Sequence, residues 1–160
     1  MKFLSGLFFV VILIISQPVG AQQAEENKIK ELISLFFKGL QSGDTLLIKQ
    51  TINKDLKLQT TFKNKEGKSI LRNEDVSKFL NSVASKKPDD IWEEKLLSYN
   101  IQVDGTMANV WTPYEFYLNN DFSHCGVNSF QLFFDGKKWS IIYLIDTRRR
   151  QDCKNTINDR

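Results

Sequence analysis

The 160-residue chain holds one histidine, two cysteines, two methionines and three prolines. With His124 as the sole imidazole, a zinc site would have to recruit carboxylates, and no His-rich spacing is present. No phosphate-cradling glycine loop and no Ser-His-Asp order occurs, so hydrolase, nucleotide-binding and metalloenzyme readings have no motif, and neither a cofactor nor a metal is expected. Excess charge of one sign is also scarce. The net charge is +3, and it falls to +2 without Lys2, the one charged residue in residues 1–21. A field that small does not gather phosphates or anionic lipids, so no nucleic-acid or membrane partner is expected. Internal repeats and low-complexity stretches are absent.

What is present is an ordinary globular composition, 41% hydrophobic, 12% aromatic and 26% charged. Residues 1–21 read as a signal peptide: Lys2, an apolar run to Ile15 interrupted by Ser5 and Gly6, then Pro18 and the small residues Val19 and Ala21 ahead of a cleavage site. A run of about 13 apolar residues is short of the roughly 20 that cross a bilayer. Cleavage after Ala21 leaves residues 22–160 as a single domain, exported to the periplasm or the medium and free of the membrane. In an oxidising compartment Cys125 and Cys153 are each other's only partners within the chain, and their disulfide would close a 28-residue separation worth about 3 kcal/mol. Two buried thiols or a metal pair are the other readings of these two residues.

Ile29, Leu32, Ile33, Phe36, Phe37 and Leu40 recur at helical spacing and predict a helix over about 25–40, ended by Gly43. Asp44 is placed to cap a second helix to about 52. Leu56, Leu58, Thr60 and Phe62 alternate with polar residues as a strand, Asn64 to Gly67 reads as a turn, and Asn73 is placed to cap a third helix carrying Val76, Phe79, Leu80 and Val83. Four long strands are expected after it, over about 92–103, 106–118, 124–134 and 138–147. Asp104-Gly105 and Asp135-Gly136 supply hairpin turns, and strands of this length must twist and curl. Pro113 cannot donate a ladder bond, which predicts a bulge or a locally unpaired stretch beside it. The fold class is therefore α+β, three N-terminal helices packed on a strongly curved, mainly antiparallel sheet with a concave face.

This order resembles the nuclear transport factor 2-like superfamily of cone-shaped folds across nearly the whole of residues 22–160. Gly43-Asp44, the hairpin Asp135-Gly136-Lys137-Lys138-Trp139, the ending Asp146-Thr147-Arg148-Arg149 and the segment Phe122-Ser123-His124-Cys125-Gly126 look like its exported bacterial branch labelled lumazine-binding. That resemblance implies a pocket. The superfamily hosts isomerases, dehydratases and cyclases beside inert ligand-binding and assembly modules.

Strand alternation assigns Tyr114, Phe116, His124, Asn128, Phe130, Trp139 and Tyr143 to the concave side, with Glu115 and Asp146 on the less apolar face. The expected ligand-binding set is Tyr114, Phe116, His124, Asn128, Trp139, Tyr143 and Arg148, in a non-catalytic domain that binds a small molecule. Each aromatic also reads as plain core, Trp139 as an anchor for the first helix, and Arg148 to Arg150 as a solvated strand end, or Arg148, in phase with Asp146, as a partner in an ion pair or a bidentate hold on an anionic ligand at the cone's mouth. Two alternatives stand beside this reading. One is a lyase or isomerase of the polyketide-cyclase or ketosteroid-isomerase type, with His124 as catalytic base and Tyr114 or Tyr143 as donor. The other is an assembly module, a homodimer paired through convex sheet faces.

Overall fold

A computed structural model describes residues 19–153, so the leader expected over residues 1–21 lies, apart from its last three residues, outside the described residues. Helix α1 (Val19–Ser42) buries Ile29, Ile33, Phe36 and Phe37, because positions three and four apart ride one face of the helix. Each such side chain withdrawn from water contributes roughly 1.5–3 kcal/mol. Gly43 stops α1 by adopting a φ of +73°, a conformation a Cβ would strain. Asp44 then caps α2 (Thr45–Thr51), its carboxylate accepting from the amides of Leu46 at 2.9 Å and Leu47 at 3.2 Å. Strands β1 (Ile52–Lys63) and β2 (Ser69–Glu74) follow as an antiparallel pair. The cap of α3 (Val76–Ala84) is Asp75, which accepts from the Lys78 amide at 2.8 Å; Asn73 is still in β2, where it pairs across to Gln59.

The remaining strands are β3 (Trp92–Leu96), β4 (Asn100–Asp104), β5 (Met107–Leu118), β6 (Asp121–Phe134) and β7 (Trp139–Arg148). One curved sheet runs in the order β2-β1-β7-β6-β5-β3, with β4 also on β5, and only the β1–β7 pair is parallel. The strand expected over 92–103 is thus two strands, and Pro113 is the reason. The Pro113 carbonyl accepts from the Leu97 amide at 2.9 Å, so its nitrogen faces the same edge. That nitrogen has no proton to offer there, and the partner breaks between Leu96 and Asn100. On its other side Pro113 stays in register opposite Val127.

Two bulges lie elsewhere and decide which side chains face the helices. One falls between Phe116 and Tyr117. The other falls opposite Gln131 and Leu132, where Ile142 is the extra residue, since Leu132 pairs with Ile141 but Gln131 with Tyr143. Beyond it the phase of β7 is reversed: Leu144, Asp146 and Arg148 face the concave side, and Tyr143 faces the convex one. The expected assignment of Tyr143 and Asp146 is corrected accordingly.

Cys125 and Cys153 form a disulfide with their Cα atoms 5.7 Å apart, fastening the segment after β7 to β6. It lies beside a paired bridge in which Cys125 and Arg149 exchange both backbone hydrogen bonds at 2.8 Å. A disulfide is compatible with an exported protein, and no helix among the described residues is long and apolar enough to cross a membrane. The intact mass of non-reduced protein should fall two hydrogens below that of the reduced form. Labelling of either residue by a thiol reagent without prior reduction would refute the bond.

Candidate functional site

Across the concave face the sheet register stacks side chains in rows. An apolar row of Val110, Phe130, Leu144 and Leu58 is succeeded by a polar row of Thr112, Asn128, Asp146 and Thr60. All four polar residues are buried, at 9% exposure or less. Below them the hollow is filled, for Phe36, Phe37, Phe79 and Phe130 pack as a cluster of edge-on and stacked rings. The end of the concave face beyond the polar row, its mouth, carries Tyr114, Phe116, His124 and the half-exposed Arg148, with Glu94 of β3 beside Asn128.

Hydrogen bonds tie these groups together. The Tyr114 hydroxyl shares its one proton between Asp146 Oδ2 at 3.2 Å and the Thr147 carbonyl at 3.0 Å. Arg148 Nε donates to the same Asp146 oxygen at 2.7 Å. Asn128 Nδ2 donates to Glu94 Oε1 at 2.7 Å. Among the described residues the Thr60 hydroxyl oxygen, at the end of the polar row, is buried without a hydrogen-bond partner, a state few buried hydroxyls keep.

The space for this network is made by Gly126. It sits opposite Tyr114, whose ring carbon Cε1 would lie 2.9 Å from a Cβ built there, and the same Cβ would overlap the Thr147 carbonyl oxygen. Only a residue without a side chain lets the Tyr114 ring cross β6 to reach β7. Tyr114→Phe keeps the ring and strips the hydroxyl from two acceptors, so a loss of about 1–2 kcal/mol in urea unfolding is expected. An unchanged midpoint would show these bonds to be idle.

Burial drives the electrostatics. Glu94 is pushed up to about 7, first by loss of hydration and then by the Asp146 charge, against the Asn128 hydrogen bond and Arg148 that favour its ionised form. His124 is pushed down to about 4, first by loss of hydration and then by Arg148 and Arg150, against the opposing Asp146. At neutral pH the imidazole is uncharged and Glu94 is near the midpoint of its titration. Burial, with Asp146 and Glu94 nearby, moves the Tyr114 phenol far above its usual range.

Of the residues expected at the site, Tyr114, Phe116, His124, Asn128 and Arg148 come together. The His124 ring lies 5.0 Å from that of Phe116 at a 31° tilt and 5.8 Å edge-on from Tyr114. Two do not join them. Trp139 lies ten residues away along β6, about 33 Å, opposite Phe134, where its indole nitrogen donates to Glu25 of α1 at 3.0 Å. Tyr143 is on the convex face, its hydroxyl bonded to Gln59. Glu115 is convex too and accepts from the Tyr117 hydroxyl at 2.8 Å. The described residues form a surface groove of about 390 Å³ beside Lys38 and Tyr99, and another of about 320 Å³ at the β5–β6 hairpin that reaches Ser123 and Arg150 beside His124. Among the described residues no three or more His, Cys, Asp or Glu side chains are grouped to hold a metal ion.

Solved structures share this architecture at low identity. An NTF2-like protein of unknown function from Shewanella baltica is 14% identical, with a TM-score of 0.58 over 79% of this chain and 95% of its own. An NTF2-like protein from Cytophaga hutchinsonii is 12% identical, with a TM-score of 0.60 over 78% of this chain and 98% of its own. The chain has an NTF2-like fold. The association domain of Caenorhabditis elegans CaMKII aligns with this NTF2-like fold as well, 13% identical with a TM-score of 0.58 over 79% of this chain and 97% of its own. No family model and no curated protein matches the sequence.

Within the NTF2-like fold, the residue that sequence reasoning missed is Glu94, while Asp146 was weighed but placed on the wrong face through the reversed phase of β7. A signal for Glu94 does exist: Trp92, Glu94 and Leu96 share one face of a short strand, so a carboxylate stands in an apolar alternation. Nothing local marks the bulge at Ile142, because Ile141 and Ile142 are chemically equivalent.

Proposed function

We propose that the concave mouth binds a small molecule, with Tyr114, Phe116 and His124 as its wall and Asn128, Asp146, Arg148 and Glu94 as its polar groups. The observation that carries this reading is the polar row itself: buried hydrogen-bonding groups and two carboxylates gathered at one end of an otherwise apolar concave face. Plain packing would place apolar side chains there at lower cost. The domain acts after export, with residues 1–21 as its leader, and the resemblance to the lumazine-binding branch belongs to this proposal without naming the ligand. If the site also performs chemistry, its proton carrier is Glu94 rather than His124, since Glu94 titrates near 7 and His124 near 4.

Titrating isotope-labelled protein with benzyl alcohol, benzoate and benzylamine tests the reading. At least one probe is expected to move the His124 ring and Asn128 side-chain amide signals. Shifts confined to the groove beside Lys38 and Tyr99, or none at all, would refute it.

A second reading, a homodimer, rests on the convex face. Met107, Trp111 and Phe133 are exposed there, with Met107 and Phe133 directly opposite one another. The CaMKII domain of the same fold is itself an association domain. Sedimentation should show a dimer that Trp111→Glu dissociates; a wild-type monomer at high concentration would rule it out.

A further inference from the structure

Resting on the reading of the mouth as a binding site, we propose that its ligand is a flat aromatic monocarboxylic acid, the ring against Phe116 and His124 and the carboxylate held by Arg148 and Glu94. The exposed guanidinium edge of Arg148 selects this class. Asp146 Oδ2 is engaged by the Tyr114 hydroxyl and Arg148 Nε, Asn128 Nδ2 is committed to Glu94 Oε1, and His124 Nδ1 is 3.1 Å from the Ser123 hydroxyl. Among the described residues the Nη groups of Arg148, imidazole Nε2, Glu94 Oε2, Asp146 Oδ1 and Asn128 Oδ1 have no hydrogen-bond partner. The Arg148 side chain is 48% exposed, so its outer edge is presented to solvent at the mouth.

The outer edge of the Arg148 guanidinium matches the two oxygens of a carboxylate. An ammonium group would meet Arg148 as a like charge. Arg148 is already paired with Asp146, so the second charge of a dianion would gain little over a monoanion. Phe116 and His124, both partly exposed with their rings 5.0 Å apart, supply the aromatic wall.

A carboxylate placed beside Glu94 requires a proton between the two, because like charges at that distance do not both stay ionised. Glu94 supplies the position: its carboxyl, protonated, donates from Oε2 while Oε1 keeps the Asn128 bond. The groups facing Glu94 are Asp146 and Arg148 of β7, Tyr114 of β5 and Asn128 of β6, with the neutral His124 alongside; among the described residues no charge of α1 contributes. Binding thus takes up a proton as solution pH rises past the Glu94 midpoint.

Calorimetric titration of the full mature protein with benzoate, benzyl alcohol and benzylamine tests this. At pH 6 benzoate should bind at least about tenfold tighter than benzyl alcohol, and its affinity should fall about fivefold between pH 7 and pH 8, with about half a proton taken up on binding at pH 7 and close to one at pH 8. Arg148→Gln should cost benzoate about tenfold or more and leave benzyl alcohol nearly unchanged, while Glu94→Gln should bind benzoate without pH dependence. Benzylamine or benzyl alcohol binding as tightly as benzoate overturns the acid class and leaves the mouth standing as a binding site. Benzoate affinity unchanged by Arg148→Gln overturns it equally, and no binding of any probe overturns both.

Discussion

Gly126→Ala should destabilise the protein by about 3 kcal/mol or more and disorganise the mouth, an unusually large effect for one methyl group. The backbone at this position has no positive φ, so conformational strain is not the cause. The new Cβ would occupy the place of the Thr147 carbonyl oxygen, and Tyr114 would crowd it from the opposite strand. A flexible side chain could swing aside, but a backbone oxygen moves only if β6 and β7 part. That separation would break the Tyr114 bond to Thr147 and strain the neighbouring Cys125–Arg149 bridge, both anchored at the same point. The disulfide adjoining it prevents the strands from opening freely. Urea unfolding should show a lower midpoint with an unchanged slope, and amide spectra should show shifts concentrated at 114, 124–128 and 146–149. A variant within about 1 kcal/mol of wild type would mean that β7 is not held where the structure places it.

Glu94→Gln should act in the opposite direction and stabilise the protein by about 3 kcal/mol at pH 8, with little effect at pH 4. The carboxyl moves from 4.5 to about 7 on folding, so the folded state holds the proton more tightly than the unfolded chain. Its stabilising contribution is full below about pH 4.5, is lost as pH rises through about 7, and leaves wild type carrying the whole penalty above that. Glutamine keeps the acceptor for Asn128 and has no charge to desolvate. His124 titrates across the same window with the reverse sign: its value falls from 6.5 to about 4, so its contribution is present above pH 6.5 and lost as pH falls. The two largely offset each other in the wild-type curve, so the difference between variant and wild type isolates Glu94. Stability measured at pH 4, 6 and 8 should show that difference widening with pH. A constant difference, or a variant weaker at pH 8, would mean that the carboxylate is stabilised rather than desolvated. A group that costs stability at neutral pH and remains in place is what a functional site would retain.

The helices were legible because α1 carries an unbroken apolar stripe and Asp44 an unambiguous cap. Asn73 and Asp75 are both competent caps two residues apart, and pairing of Asn73 to Gln59 in the sheet chose between them. The hairpin at Asn119 and Asn120, both at positive φ, lacks the glycine that made the Asp-Gly turns readable. For the site, alternation carried Tyr114, Phe116, His124 and Asn128 to the concave face correctly, since β5 and β6 run in regular register from Met107 to Phe116.

By itself the sequence determined the α+β class, the three helices and the concave side of β5 and β6, because hydrophobic periodicity and turn chemistry are local and repeat along the chain. Only the tertiary structure decided the phase of β7 and the approach of β3. One extra residue at Ile142 reversed every side chain after it, bringing Asp146 and Arg148 inward and sending Tyr143 out. Pairing of β3 with β5 and of β5 with β6 brought Glu94 within 2.7 Å of an asparagine 34 residues later. Both depend on how separate strands are aligned in space, and alignment is set by packing between distant segments rather than by the residues at either position.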